Sequence, residues 1–229
     1  MSTERVPSTD GHDTSTLAVL WDMDGTLIES QPLWDAAFTR PCEERGGTVT
    51  RAVLASLAGA SEPGTRALIA ATGAAASAED PVAYEVTDAM NVEVGDLVVS
   101  QPPLVDGSQE ITAELASRGV IQAIVSASRC RLVEAVAGAQ GDAITVLVTG
   151  EDGLAPKPSH EPYSTAVERV GVPVRRCVVV EDSATGLASA RAAGLATIQI
   201  GNAPLLPHDG SVRLVRSLRD VTPSLLGVD

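Results

Sequence analysis

Five short, largely unbroken apolar runs constrain this chain more than any other feature: Leu17–Trp21, Val120–Val125, Ile144–Val148, Cys177–Val180 and Ala196–Ile200. Strict alternation would mark a strand with one wet face, whereas near-continuous apolarity marks a strand buried on both. Helix-patterned stretches lie between the later runs, at Ser108–Ser117, Arg129–Ala137, Glu161–Val170 and Ala184–Ala193. Gly119, Gly138, Gly171 and Gly194 stand where those helices are expected to stop, since glycine favours the left-handed turn that closes a helix. Strand and helix therefore alternate from residue 105 onward, the pattern of a doubly wound parallel sheet with helices on both faces. A last helix is expected within 213–226.

Residues 29–103 break that rhythm. Pro32–Arg45, Thr50–Leu57, Thr65–Thr72 and Pro81–Val99 are Ala-rich and helical in character, with Leu97-Val98-Val99 the one strand-like stretch. The reading is an α/β class chain: a Rossmann-like parallel core formed by 17–28 and 104–229, with a small α-helical cap inserted at 29–103. With only five aromatics, the core must be built from Ala, Val, Leu and Ile, which suit helices packed closely on a sheet.

Charge narrows the partners. Sixteen Lys and Arg against thirty Asp and Glu give a net charge of −14. Such a surface repels nucleic acid and anionic lipid, so neither is an expected partner. An anionic substrate must instead meet a local cluster of cation and backbone N–H groups. No apolar run approaches the roughly 18–20 residues of a membrane span. Cys42, Cys130 and Cys177 are odd in number and form no CxxC pair, which reads as free thiols in a reducing compartment. Residues 1–16 are polar, lack a signal-peptide core and read as a flexible leader. The expected location is cytoplasmic.

In open parallel sheets ligands sit at the carboxyl ends of the strands, where the strand order reverses. Four such ends carry polar residues: Asp22-Met23-Asp24-Gly25-Thr26 after the first run, Ser126-Ala127-Ser128 after the second, Lys157 in the loop after the third, and Glu181-Asp182-Ser183 after the fourth. Singly, each has a plain structural reading as a loop residue, a helix cap or a surface lysine. Together they bring carboxylates, a hydroxyl and a cation to one edge. Rival patterns fare worse. Asp22-x-Asp24-Gly25 begins like a calcium loop, but its twelfth position is Leu33, where a bidentate Glu is needed. No Walker loop, GxGxxG, HExxH or GxSxG occurs. His12, His160 and His208 form no metal-binding spacing, and only His160 lies near Lys157 in sequence.

In these residues the chain resembles the haloacid dehalogenase superfamily, in its branch with a helical cap after the first motif. Asp22-x-Asp24-Gly25-Thr26-Leu27 is similar to the family's first motif, Ser126 to its second, Lys157 within Ala155-Pro156-Lys157-Pro158 to its third, and Glu181-Asp182-Ser183 through Gly186 to its fourth. The resemblance runs from about residue 17 to 225. It implies an Mg²⁺-dependent phosphatase acting on a small phosphorylated metabolite. Asp22 would be the nucleophile and Asp24 the general acid and base. Mg²⁺ favours about six oxygen ligands. Asp22, Asp182 and the backbone carbonyl of Asp24 would supply some of them, with Glu181 as ligand or supporting partner. Gly25, Thr26, Ser126, Ala127 and Lys157 would hold the phosphoryl group, Lys157 offsetting the charge of nucleophile and phosphate.

Departures within the family sharpen the expectation. Dehalogenases usually lack an acid two positions past the nucleophile, because a halide needs no proton, and Asp24 is present. Phosphonate-cleaving relatives use a cap lysine, and 29–103 contains none. Sugar-phosphate mutases share every core residue but usually carry a histidine about ten residues past the second Asp, where Trp34 stands. Hydrolysis is therefore preferred to a mutase, and a mutase to a silent binding protein of the same fold. Ser159-His160 follows Lys157-Pro158 where relatives often have a proline at the second position, a local difference in the loop. Trp34, Phe38 and Ser61, within the turn Gly59-Ala60-Ser61-Glu62-Pro63-Gly64, are the candidates to face the leaving group, and Arg51 and Arg66 to meet a second anion.

Overall fold

The computed structural model describes residues 16–57, 60–202, 205 and 212–228. The expected leader, apart from residue 16, lies outside the described residues, as do Gly59, His12 and His208. Six strands form one parallel sheet in the order β3-β2-β1-β4-β5-β6: β1 Ala18–Trp21, β2 Ile121–Val125, β3 Val146–Val148, β4 Cys177–Glu181, β5 Ala196–Ile200 and β6 Val212–Val215. The expected α/β class and parallel sheet are what the fold has.

The unbroken apolarity of β1 has a direct cause. Its side chains alternate between two cores, Val19 and Trp21 entering one and Ala18 and Leu20 the other, all with no solvent exposure. Burying each Val- or Leu-sized side chain stabilises by ~1.5–3 kcal/mol, so a polar residue on either face is disfavoured. The helices on the sheet are α5 Ser108–Ser117, α6 Cys130–Ala139, α7 Glu161–Val170, α8 Ala184–Ala192 and α9 Pro223–Leu226, and those between β1 and α5 are α1 Gln31–Glu44, α2 Arg51–Leu57, α3 Glu62–Thr72 and α4 Pro81–Ser100.

Among the described residues no strand lies between β1 and α5. Leu97-Val98-Val99, strand-like in sequence, belongs to the last turns of α4, where Val98 is buried. Asp80 starts α4 by accepting the Val82 N–H at 2.9 Å, and Ser61 caps α3 by accepting that of Gly64. The α1–α4 group packs on itself chiefly through α4, which also touches α6 beside the sheet.

Two expectations need correction. Gly138 does not end its helix: α6 runs to Ala139, and the left-handed glycine is Gly141, at φ 66. Gly171, by contrast, closes α7 in that conformation, at φ 68. The expected helix within 213–226 is mostly something else. Residues 212–215 are the edge strand β6, a 3₁₀ turn follows at Leu218–Asp220, and only Pro223–Leu226 is helical. An edge strand carries Arg213 and an exposed Leu214 because one side of it meets water. No helix among the described residues is long and apolar enough to cross a membrane.

Candidate active site

Strand register builds the site. Trp21 pairs with Ile124 on one side and Val180 on the other, so Asp22, Val125 and Glu181 arrive side by side at the carboxyl edge. The Asp22 N–H still bonds the Val180 carbonyl at 3.0 Å, which fixes its backbone to the sheet. This edge lies where the strand order reverses between β1 and β4, the position at which a parallel sheet opens a crevice.

Lys157 reaches into that crevice from the loop before α7. Its ammonium donates to Asp22 Oδ1 at 2.6 Å, Glu181 Oε1 at 2.8 Å, the Val125 carbonyl at 3.0 Å and the Tyr163 hydroxyl at 3.2 Å. Burial alone would lower its pKa, but Asp22, Tyr163 and Glu181 outweigh that and hold Lys157 well above the ordinary lysine range. Burial pushes the Asp22 carboxyl well above the carboxylate range; Lys157 opposes the shift, while Glu181 and Asp182 add to it.

Glu181 has no solvent exposure and its carboxylate is fully engaged. Oε1 accepts from Lys157 and, at 2.9 Å, from the Tyr163 hydroxyl. Oε2 accepts from the Asp182 N–H at 3.1 Å, the Ser183 N–H at 3.0 Å and the Ser183 hydroxyl at 2.9 Å. Burial, the largest single influence, would raise its pKa, yet the Lys157 charge and the hydrogen bonds from Lys157 and Ser183 together outweigh it and leave Glu181 below its usual value. Gly186 makes this possible: a Cβ there would lie 1.5 Å from Oε1.

Asp182 is the opposite case. Its Oδ1 is buried without a hydrogen-bond partner, and burial together with the Glu181 charge pushes its carboxyl up to about 7. It lies against Gly25, where a Cβ would sit 2.0 Å from Oδ2. Carboxylate oxygens of Asp22, Glu181 and Asp182 come within 4.8 Å of one another. An orphaned buried oxygen in an acidic trio suits a hard divalent cation, which supplies the missing partner and favours the ionised form. Because every Glu181 oxygen is already occupied, the residues free to ligate are Asp22 and Asp182, with Glu181 bracing them.

Asp24 stands apart from that trio. Its Oδ1 accepts from the Ser30 hydroxyl and its Oδ2 from that of Ser128 at 3.3 Å, while burial raises its pKa against those bonds. Ser126 is nearly buried and accepts the Ser128 N–H at 3.0 Å; Ala127 beside it is exposed. The amides of Gly25 and Thr26 close their own turn, bonding Ile28 O at 2.7 Å and Met23 O at 3.3 Å, and the buried Thr26 hydroxyl has no partner. Of the residues expected to face a leaving group, Phe38 is fully buried and belongs to the apolar core. Trp34 is half-buried against that same core, and exposed Ser61 is spent on capping α3. Arg66 stacks on the Tyr84 ring at 4.3 Å, and Arg51 is exposed at the start of α2.

Two residues in this network carry no sequence signal. Tyr163 lies six positions past Lys157, in the first turn of α7. Ser30, at the N-cap position of α1, makes no side-chain cap bond and turns to Asp24 instead.

Comparison with known proteins bears on the whole arrangement. A haloacid dehalogenase-like hydrolase family profile matches residues 16–194. A phosphoglycolate phosphatase of Xanthomonas campestris pv. campestris is 30% identical over 185 residues, covering 79% of this chain and 81% of its own. Hexitol phosphatase B of Escherichia coli is 28% identical over 191 residues, covering 80% and 83%. The crystal structure of CbbY from Rhodobacter sphaeroides in complex with phosphate superposes with a TM-score of 0.71 at 26% identity, covering 90% of this chain and 96% of that one.

Proposed function

The chain belongs to the haloacid dehalogenase-like hydrolases, and from that premise we propose that it is an Mg²⁺-dependent phosphatase of small phosphorylated metabolites, sugar or polyol phosphates in particular. The observation that carries this reading is Lys157 bridging Asp22 and Glu181 beside an unpartnered Asp182 oxygen. A fixed cation next to a carboxylate is what a dianionic phosphate ester requires before that carboxylate can approach it.

In the proposed reaction an Asp22 oxygen bonds to phosphorus as the bond from phosphorus to the leaving oxygen breaks, and Asp24 gives that oxygen its proton. Water then bonds to phosphorus and the Asp22 linkage breaks, with Asp24 taking the proton from water. The upward shift of the Asp24 pKa by burial supports this role, since it favours the protonated form that donates. Ser30 and Ser128 hold its two oxygens and set its direction. Lys157, Ser126 and the Ala127 backbone hold the phosphoryl oxygens. Asp22, Asp182 and the Asp24 carbonyl would hold the divalent cation, which would supply positive charge against the phosphoryl group.

The four helices of 29–103 act as a cap that covers the site and selects the leaving group, with Trp34 the residue best placed by exposure. Relatives that are phosphatases of a glycolate and a hexitol ester support a small polyol or sugar phosphate. A metabolite substrate and three free cysteines support work in the cytoplasm.

The test is phosphate release from a panel of sugar, polyol and glycolate phosphates, with Mg²⁺ or with EDTA. Release that requires the metal is the expected result. No release from any compound, with glucose 1-phosphate converted to an isomer under a bisphosphate primer, would replace hydrolysis by a mutase.

A further inference from the structure

We propose that Tyr163 is a positioning residue whose phenol holds the Lys157 ammonium toward Asp22, an inference that rests on the phosphatase reading above. Tyr163 has no solvent exposure, and it is one of the largest fully buried side chains in the protein. A buried phenol needs a hydrogen-bond partner, and this one touches two charged groups of the site: Glu181 Oε1 at 2.9 Å and Lys157 Nζ at 3.2 Å. Its ring centroid lies 4.8 Å from the ammonium, close enough for a cation–π attraction. Hydroxyl, ammonium and carboxylate oxygen thus form a closed triangle of hydrogen bonds.

The triangle has a consequence for Lys157. An ammonium has three protons, and four acceptors surround this one. Glu181 Oε1 and Asp22 Oδ1 compete for the same charge, at 2.8 and 2.6 Å. The Tyr163 O–H donates to Oε1 and draws off part of its negative charge, which weakens the Glu181 hold on the ammonium. The phenol oxygen then offers Nζ a neutral acceptor, whose release to a phosphoryl oxygen costs less than breaking a charged pair. Without the hydroxyl, Glu181 binds the ammonium more tightly and draws it back from Asp22 and the arriving phosphate. The cation would then support the transition state less while ground-state binding changes little.

The test compares wild type, Tyr163→Phe and Val167→Ala on the best substrate of the panel at saturating Mg²⁺, with urea unfolding of each. Val167 lies in the next turn of α7, packs against the same core and is outside the site. Tyr163→Phe is expected to lower kcat about ten- to a hundredfold, the kinetic equivalent of one charge-assisted hydrogen bond. Its KM should stay within about threefold, since uniform binding is not the target. Val167→Ala should lose stability and keep its kcat. A Tyr163→Phe enzyme within about twofold of wild type in kcat overturns the proposal, and so does an equal kcat loss in Val167→Ala. A wild type that releases no phosphate from the panel overturns the phosphatase reading itself and this assignment with it, an outcome distinct from turnover that ignores Tyr163.

Discussion

Adding one methyl group at Gly186 should unseat a carboxylate. A Cβ at this position would lie 1.5 Å from Glu181 Oε1, 1.9 Å from its Cδ and 2.3 Å from Oε2, so the whole carboxylate must leave. It would surrender the Lys157 and Tyr163 bonds at one oxygen and three bonds from Asp182 and Ser183 at the other. Breaking a buried ion pair from one side costs ~3–5 kcal/mol. Lys157 keeps Asp22 as partner, and alanine in a helix gains up to about 1 kcal/mol over glycine. The net expectation for Gly186→Ala is a loss of about 2–4 kcal/mol.

Gly138→Ala supplies the control, because it lies in α6 with nothing within 4 Å of its would-be Cβ. It should gain about 0.5–1 kcal/mol from helix propensity alone. Urea unfolding without metal, monitored by tryptophan fluorescence, reads both variants. The same substitution should thus move stability in opposite directions. If Gly186→Ala were as stable as Gly138→Ala, the Glu181 carboxylate would not occupy the place assigned to it.

Three further expectations follow from single contacts. Lys157→Met leaves Asp22 and Glu181 without their shared cation, and urea unfolding should show a loss of about 3–5 kcal/mol; excess Mg²⁺ should restore part of the activity of Asp182→Ala but not of Lys157→Met, and the reverse pattern would exchange their roles. Because buried Ser30 makes no side-chain cap bond and gives its hydroxyl to the Asp24 carboxylate, Ser30→Ala should lower kcat through Asp24 and cost about 1–3 kcal/mol of unfolding free energy; an unchanged kcat would contradict this. The Arg169 hydrogen bond, aided by the Thr149 N–H, holds Asp152 below the carboxylate range. Its folded pKa is depressed, so its stabilisation is present above the unfolded value of about 3.9 and is lost as pH falls through the folded pKa. Acid titration should therefore destabilise wild type more than Asp152→Asn in that window, and parallel acid limbs would count against the pair.

What the sequence made legible follows from how many constraints fall on one residue. The inner strands show because β1 must be apolar on both faces over four residues. The edge strand β6 did not show, since Val212-Arg213-Leu214-Val215 satisfies a helix as easily as a half-wet strand. Gly138 misled because an exposed glycine inside a helix leaves the same letter as one that ends it. In the site, Asp22, Ser126, Lys157 and Glu181-Asp182 could be found because each follows a strand and the strands share one edge. Tyr163 and Ser30 could not, because their contacts depend on how the first turns of α7 and α1 meet the sheet. Phe38, read as a substrate contact, became core for the same reason: nothing local tells which face of α1 is covered.

The central claim is that Asp22 is the nucleophile, and the most direct measurement is phosphate release by Asp22→Asn beside wild type, at saturating Mg²⁺ on the best substrate of the panel. The amide keeps the shape and cannot attack phosphorus, so kcat should fall by more than about a thousandfold while circular dichroism shows a folded chain. A folded Asp22→Asn protein that retains turnover within about tenfold of wild type would contradict the account.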